Sequence, residues 1–280
     1  MNKVLVVTDS SATVPADQVQ QLGIQVVPIL LNMNGQTFRD GIDISPDEVY
    51  RWLRTSTYLP TTAAPSAGDF LRIYASAVHS ATGIVSIHLP PALSATYSVA
   101  ATASQLVDGI PIRLVDSQSV AMGQGFVVLE AARAAAAGAS IDTVVQRAEQ
   151  VARKVHVLAA LDTLEYLRRG GRIGGAAAFL GTMLKIKPVV YVADSTVSPF
   201  AKPRTKSRAI RLMLDEVARR SDGQPLHIAI LQGDVPDEAQ ELRQMVQERF
   251  NCVELYITEF TPVMGVHSGS GVLGVAFYAE

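Results

Sequence analysis

The sequence predicts an α/β fold of two domains: an N-terminal domain of βαβ units around a parallel sheet, and a C-terminal α+β domain with a mixed sheet. In the first half, short apolar runs rich in β-branched residues alternate with longer segments of helical spacing. This alternation is typical of parallel strands buried on both faces. Past the middle, strands follow one another with fewer helices between them. We therefore predict domains over residues 1–150 and 151–280, a length ample for two cores.

In the N-terminal domain, strands and helices alternate. The strands are predicted over residues 3–11, 24–32, 83–90 and 111–119. The helices are predicted over residues 15–23, 45–55, 66–80 and 94–109, with start and stop signals such as an early Pro or Ser and a late Gly. Residues 125–154 then indicate one or two helices, broken near Gly138.

The C-terminal domain is richer in strands. They are predicted over residues 155–163, 184–192, 196–203, 226–234, 252–260 and 271–279. The clearest helices between them are predicted over residues 161–170 and 205–221. No internal repeat and no low-complexity linker interrupts the chain.

Composition and charge narrow the class of protein. Apolar residues make up 48% of the chain and charged residues 18%, which is typical of a globular protein. The net charge of −2 provides no basic footprint for nucleic acid. The basic stretch at residues 202–211 is typical of a solvated surface, with docking of an acidic partner as the alternative. No apolar run approaches the ~18–20 residues of a membrane span, and the N-terminal run is too short for a signal peptide. We therefore expect a soluble, cytoplasmic protein.

Metal and disulfide chemistry is not indicated. The single cysteine, Cys252, excludes an internal disulfide and a cysteine-based metal site. None of the five histidines forms the i, i+4 pair of a helical zinc site. We therefore expect no metal and no cofactor.

Two hydroxyl-rich turns are candidates for binding. At residues 88–98, an apolar run leads into two prolines and then Ser94, which is either an N-cap or part of a ligand site. Free helix amides and the helix dipole at such a start hold carboxylates or phosphates. In the second turn, Ser66 and Asp69 resemble a capping box, which leaves Thr61 and Thr62 unexplained.

The glycines at 269, 271 and 274 match G-x-G-x-x-G but do not indicate nucleotide binding. The dinucleotide motif needs a helix after the glycines, and this one leads into a terminal strand. We expect these glycines to let the backbone pass close to a neighbour beside His267. The stretch RRGGRIGG, with Arg172, is either a helix C-terminus or a lid or hinge.

A serine hydrolase is the competing enzyme hypothesis. Ser94, His267 and either Asp9 or Asp116 are the residue types of a catalytic triad. The G-x-S-x-G turn that carries the nucleophile in α/β-hydrolases is absent from the sequence.

The chain resembles the DegV family of bacterial fatty-acid-binding proteins almost end to end. The resemblance is carried, in order, by VTDSSA, LPTTAAPS, LSATYSVA, VDSQS, YLRRGGRIGG, LKIKPVV and GVHSGSGVLGV. Two departures stand within these motifs. Ala63 and Ala64 replace a common Ser-Gln pair, and Ala95 replaces a common Gly.

The resemblance implies a function. A long-chain fatty acid would lie between the two domains, with its carboxylate near Thr61, Thr62, Ser94 and His267. The protein would present that carboxylate to a separate ATP-dependent fatty acid kinase, whose acyl phosphate product feeds phospholipid synthesis, and would itself carry out no catalysis. A stand-alone lipid sensor or storage protein is the alternative, followed by the hydrolase.

The residue types fit this ligand. A fatty acid needs a dry tunnel and a few convergent donors. Hydroxyls and one histidine, without a paired Arg or Lys, would leave a carboxylate oxygen open to a kinase. Candidate residues for the tunnel wall are Ile29, Leu30, Phe179, Leu180, Met183, Leu184 and Met264.

Overall fold

The computed structural model describes residues 3–280, apart from the side chains of residues 182–185 and 193. Its strands are β1 (Val4–Asp9), β2 (Gln25–Val27), β3 (Leu30–Met33), β4 (Gln36–Arg39), β5 (Thr61–Ala63), β6 (Gly83–His88), β7 (Ile112–Asp116), β8 (His156–Ala160), β9 (Val189–Ala193), β10 (Thr196–Ala201), β11 (Leu226–Gln232), β12 (Cys252–Glu259) and β13 (Leu273–Ala279). Its α-helices are α1 (Ala16–Leu22), α2 (Pro46–Thr55), α3 (Ala67–Ala77), α4 (Thr96–Ser104), α5 (Met122–Ala136), α6 (Ile141–Ala152), α7 (Glu165–Arg169), α8 (Lys206–Ser221), α9 (Pro236–Arg249) and α10 (Pro262–Ser268). Segments of 3₁₀ helix lie at Ser10–Ala12 and Gly174–Lys185. Among these elements, no helix is both long and apolar enough to cross a membrane.

The first sheet is parallel, as the alternating pattern predicted. Its four strands lie in the order β2-β1-β6-β7. Helices α3 and α4 cover one face, and α5 and α6 cover the other. Every residue of β6 is consequently buried, as parallel strands between two helical layers should be.

Helix α5 lies between the first sheet and the second, and it is buried on almost all sides. Its side chains pack against Val85 and Ile87 of β6 and also against Val157 and Ala276 of the second sheet. Twelve of its fifteen residues are buried, as in a helix that belongs to a core. Both halves of the chain therefore share one continuous core around α5.

The break predicted near Gly138 is confirmed, because α5 and α6 are separate helices. Gly138 has a φ of +84°, which is the left-handed conformation that glycine adopts readily after a helix. The domain boundary at residue 150 stays a prediction, and that residue lies within α6.

The second sheet is mixed, as predicted for the C-terminal half. Its six strands lie in the order β10-β9-β8-β13-β11-β12, and each neighbouring pair is antiparallel except β11 with β12. Helices α8 and α9 cover its outer face, and its inner face packs against α5. The sequence prediction included α8 but missed α9.

The prediction of one strand over residues 24–32 is wrong. The segment divides at Pro28 into β2, which belongs to the first sheet, and β3, which belongs to a third sheet. Proline has no N–H to donate to a strand ladder, so the chain changes sheets there. The third sheet is antiparallel in the order β4-β3-β5, and β5 carries Thr61 and Thr62.

Candidate functional site

An apolar cavity of about 310 Å³ opens between the first and second sheets. The second sheet contributes side chains from three adjacent strands: Val157, Ala159, Val190, Val192 and Val197. The opposite wall includes Leu89, Leu93 and Val120, which follow the carboxyl ends of β6 and β7. Ligands of open α/β sheets bind at that edge. The cavity can therefore hold an apolar ligand between the two layers.

Three of the four predicted site residues line this cavity together. Thr62 lies on β5, Ser94 lies in the turn before α4, and His267 lies on α10. Thr62 Oγ1 lies 2.9 Å from His267 Nε2, across 205 residues of sequence. Thr61 is exposed and is not among the residues that line the cavity.

Ser94 stands one residue before the helix cap. The N-cap position of α4 is Ala95, which makes no side-chain capping bond. Ser94 Oγ instead accepts the amide hydrogen of Thr96 at 3.2 Å and lies 2.8 Å from Thr96 Oγ1. Its hydroxyl thus stabilises the turn before α4 and lines the cavity, so the N-cap interpretation is wrong and the ligand role stays a prediction.

His267 belongs to a short helix, where the sequence had placed it beside a glycine-rich strand. Burial, helped by the positive charge of Arg172, lowers its pKa from 6.5 to about 4. The imidazole is therefore neutral near pH 7 and carries one N–H. Its Nδ1 is buried and has no hydrogen-bond partner within the described part of the chain. Gly170 packs against that nitrogen, where a Cβ atom would collide with the ring.

The glycines after His267 allow close backbone approach, as expected. Gly269 ends α10 with a φ of +73° and lies against the ring of Tyr166, where a side chain would clash. The chain then enters β13, which confirms the strand predicted after the glycines.

Arg172 is a cavity residue that the sequence did not identify. Its Nε donates to the carbonyl of Leu93 at 3.0 Å, and its Nη1 donates to the carbonyl of Gly170 at 2.6 Å. The sequence favoured a site without a paired Arg or Lys, which stays a prediction, and the structure adds one arginine to the cavity wall. Two N–H groups of the guanidinium therefore already donate to backbone carbonyls. The guanidinium still brings a positive charge to the cavity wall, but it has fewer N–H groups left for a bidentate bond to a carboxylate.

The three alanines that depart from the family pattern all line the cavity: Ala63, Ala64 and Ala95. Ala95 has φ −73° and ψ −2°, which is ordinary helical backbone. Alanine in place of the common glycine therefore causes no backbone strain at this turn. The three alanines therefore change the cavity wall. Ala63 and Ala64 have smaller side chains than the common Ser-Gln pair, and Ala95 adds a methyl group where glycine has none.

The triad that a hydrolase would need is not assembled around Ser94. Ser94 Oγ contacts Thr96, and His267 Nε2 contacts Thr62. Asp9 pairs with His88, with 2.9 Å between Asp9 Oδ2 and His88 Nδ1. Ser86 completes a Ser-His-Asp arrangement with these two, but all three side chains are fully buried and inaccessible to a substrate.

The predicted tunnel residues divide into three groups. Ile29 and Met264 line the cavity. Leu30, Phe179 and Leu180 are not among its lining residues. Met183 and Leu184 lie outside the described side chains.

A second cluster brings Glu130, His227 and Glu254 together, with potential metal-ligand atoms within 4.8 Å of one another. Arg133 donates to both carboxylates, at 2.7 Å to Glu130 and 3.0 Å to Glu254. Arg147 donates to Glu130 as well. The guanidinium groups already supply the positive charge, so this cluster fits an ion-pair network between α5, α6 and the second sheet.

Comparison with known proteins agrees with the resemblance and with the fold. The family model described as "Uncharacterised protein, DegV family" matches residues 3–280. A DegV domain-containing protein of Mycobacterium tuberculosis is 36% identical over 274 residues, which cover 97% of this chain and 96% of the relative. The solved structure of a DegV family protein from Thermus thermophilus, described for its fatty acid binding, is 33% identical with a TM-score of 0.95, over 99% of this chain and 100% of that one. DegV of Bacillus subtilis, described as a fatty acid binding protein, is 30% identical with a TM-score of 0.91 over all of both chains. The chain belongs to the DegV family.

Proposed function

We propose that this protein binds a long-chain fatty acid in the cavity and presents its carboxylate to a separate ATP-dependent fatty acid kinase. The observation that carries the proposal is the apolar cavity, whose wall also bears Thr62, Ser94 and His267. We call these three residues the head-group site. The solved relatives from T. thermophilus and B. subtilis are described as fatty acid binding, which supports the ligand class.

The tail supplies most of the affinity. A chain of about fifteen methylenes gains roughly 12 kcal/mol by leaving water, at ~0.8 kcal/mol each, before the costs of association. Valines from β8, β9 and β10 form a stiff wall, because β-branched side chains have few rotamers. When an alkyl chain binds to such a wall, the side chains of the wall lose little conformational entropy.

The head-group site sets orientation. The hydroxyls of Thr62 and Ser94 can each donate one hydrogen bond to a carboxylate oxygen. Neutral His267 holds Thr62 in place through the 2.9 Å contact. Arg172 adds a nearby positive charge, although two of its donors are bound to carbonyls. The carboxylate is thus held without a bidentate ion pair, which leaves one oxygen accessible for transfer.

The proposed transfer takes place on the kinase. A carboxylate oxygen attacks the γ-phosphorus of ATP, an acyl phosphate forms, and ADP leaves. In this scheme the protein is a cytoplasmic carrier that needs no metal or cofactor of its own, and its contribution is to place the attacking oxygen.

The ligand is tested by denaturing extraction of the purified protein followed by mass spectrometry. We expect one acyl chain of roughly C14–C18 per protein, since the tail dominates binding. A protein that yields no acyl chain and takes up neither palmitate nor oleate would contradict the proposal.

Delivery is tested by reconstitution with a bacterial fatty acid kinase. Parent and His267→Ala are loaded equally with palmitate, and acyl-phosphate formation is measured. We expect His267→Ala to bind palmitate moderately less tightly and to lose acyl-phosphate yield by a larger factor, because phosphoryl transfer depends on the position of the attacking oxygen. Equal yields would limit His267 to holding the ligand. Failure of the parent to support any kinase would favour lipid storage.

A further inference from the structure

Helix α10, which carries His267, has no side-chain cap of its own at its N-terminus. It has only seven residues, and its N-cap residue, Thr261, makes no side-chain capping bond. Pro262 at the first helical position has no N–H, so the first amide available for capping is that of Val263. Helices this short are marginal without tertiary contacts. Something outside the helix must therefore fix its position.

Asp40 supplies that contact from a distant part of the chain. Its Oδ1 accepts the amide hydrogen of Val263 at 2.9 Å, across 223 residues of sequence. Asp40 is only 2% exposed. Burial raises the pKa of its carboxyl, against the lowering effect of the hydroxyls of Ser10 and Thr261 and of the Val263 amide. The carboxyl group thus lies where the turn after β1 meets the start of α10.

The backbone of Asp40 is tied to the sheet that carries Thr62. Its amide donates to the carbonyl of Ile29 at 2.9 Å. Ile29 precedes β3, and Leu31 of β3 pairs directly with Thr62 of β5. Backbone pairing therefore connects Thr62 to Asp40 through β3. The side-chain hydrogen bond from the Val263 amide to Asp40 then connects this sheet to α10.

We propose that Asp40 is a positioning residue of the head-group site. By joining the third sheet to the start of α10, it sets the distance between Thr62 and His267 and the orientation of Met264 in the cavity wall. Asp40 itself does not line the cavity, so it acts through the helix. The consequence for ligand binding rests on the proposed function, whereas the consequence for His267 does not.

The first test needs no ligand. The imidazole resonances of the lipid-free protein are recorded by NMR, and the His267 signal is assigned with His267→Ala. We expect Asp40→Ala to move the His267 signal and Asp40→Asn, which keeps an acceptor oxygen, to leave it near the parent position. The matched control is Asp43→Ala, because Asp43 lies on the same loop but bonds only to Arg39 among the described residues. A His267 signal unmoved in Asp40→Ala would overturn the proposal.

The second test separates positioning from a general loss of stability. Affinities for myristate and for tetradecanol, which share a tail length, are compared in parent and variants. We expect Asp40→Ala to bind myristate about five- to tenfold more weakly and tetradecanol less than about twofold more weakly, because only the carboxylate depends on the full donor geometry. Equal losses for both ligands would contradict the proposal, since a merely loosened fold weakens both alike.

Two further outcomes are distinguishable. If the parent binds neither ligand, the proposed function fails, while the His267 signal still decides the role of Asp40. If Asp40→Ala does not fold, both measurements are made on Asp40→Ser, whose hydroxyl is one atom too short to reach the Val263 amide as the carboxylate does.

Discussion

The two hydroxyl groups of the head-group site form hydrogen bonds with different parts of the protein. Among the described residues, the Thr62 hydroxyl is hydrogen-bonded to His267 Nε2, whereas the Ser94 hydroxyl accepts the amide hydrogen of Thr96. Removal of either hydroxyl should weaken ligand binding, but removal of the Ser94 hydroxyl should also loosen the turn before α4. The two side chains can therefore be separated by measuring affinity and stability together.

We expect Thr62→Ala and Ser94→Ala each to weaken palmitate binding roughly tenfold or more, because a hydrogen bond to a charged group contributes about 1.5–3 kcal/mol. Ser94→Ala should also lower the free energy of unfolding of the lipid-free protein by about 1 kcal/mol. The matched controls are Thr61→Ala and Ser98→Ala, which remove exposed hydroxyls outside the cavity lining. Calorimetric titration and thermal melting measure both quantities. Parent-like binding by both site variants would show that the two hydroxyls are structural only.

The lowered pKa of His267 predicts a pH dependence of stability. Between pH 6.5 and pH 4 the unfolded chain takes up a proton at this histidine that the folded protein excludes. The free energy of unfolding should therefore fall as the pH falls through this window, by up to about 1.4 kcal/mol per pH unit from this group. His156 has a pKa lowered to about 4 by burial and by Arg220 and adds a similar slope.

The comparison is lipid-free parent against His267→Gln, by urea unfolding at pH 7, 5.5 and 4. The parent should lose more stability on acidification than the variant, and above pH 7 the two curves should run parallel. Identical slopes between pH 7 and pH 4 would mean that His267 titrates normally in the folded protein.

At the level of helices and strands, local sequence patterns predicted helix starts correctly, and they failed where contacts from distant parts of the chain fix an element. Ser66 and Asp69 form the predicted capping box of α3. The signals for α9 were present, with Pro236 first, two acidic residues in the first turn and apolar residues at helical spacing. Helix α10 could not be predicted, because Asp40 stabilises it from outside. Arg172 was missed for the same reason, since its partners are backbone carbonyls that only the fold brings near.

For one glycine of helix α5, the structure predicts an effect on stability opposite to the one that helix propensity predicts. Replacing glycine by alanine within a helix normally stabilises by about 1 kcal/mol. At Gly125, however, a Cβ atom would lie 2.6 Å from the carbonyl oxygen of Ala12, which is backbone and cannot turn aside. We expect Gly125→Ala to lower the free energy of unfolding by about 1–2 kcal/mol net.

The matched control is Gly68→Ala in the first turn of α3, where the nearest atom outside the adjoining residues would lie at 3.6 Å. This change should be neutral or slightly stabilising. If Gly125→Ala were as stable as Gly68→Ala in urea unfolding, the close contact between α5 and the turn after β1 would not exist in solution.

At the scale of the whole molecule, the proposed function depends on the cavity between two sheets that pack on either side of α5. The family resemblance implied which segments meet, but it could not give the distances between their side chains. Thr62, Ser94 and His267 come from three separate layers: the third sheet, the edge of the first sheet and the helix before β13. Because α10 carries both Met264 of the cavity wall and His267, a shift of this helix should alter the cavity and the head-group site together.

The most direct test is a crystal structure of the complex with 16-bromohexadecanoate, whose bromine marks the tail end by anomalous scattering. The account predicts carboxylate oxygens within about 3.2 Å of Thr62 Oγ1 and Ser94 Oγ, and a bromine peak inside the cavity among the valines of β8, β9 and β10. A bromine peak beside Thr62 and His267, or a ligand bound outside this cavity, would contradict it.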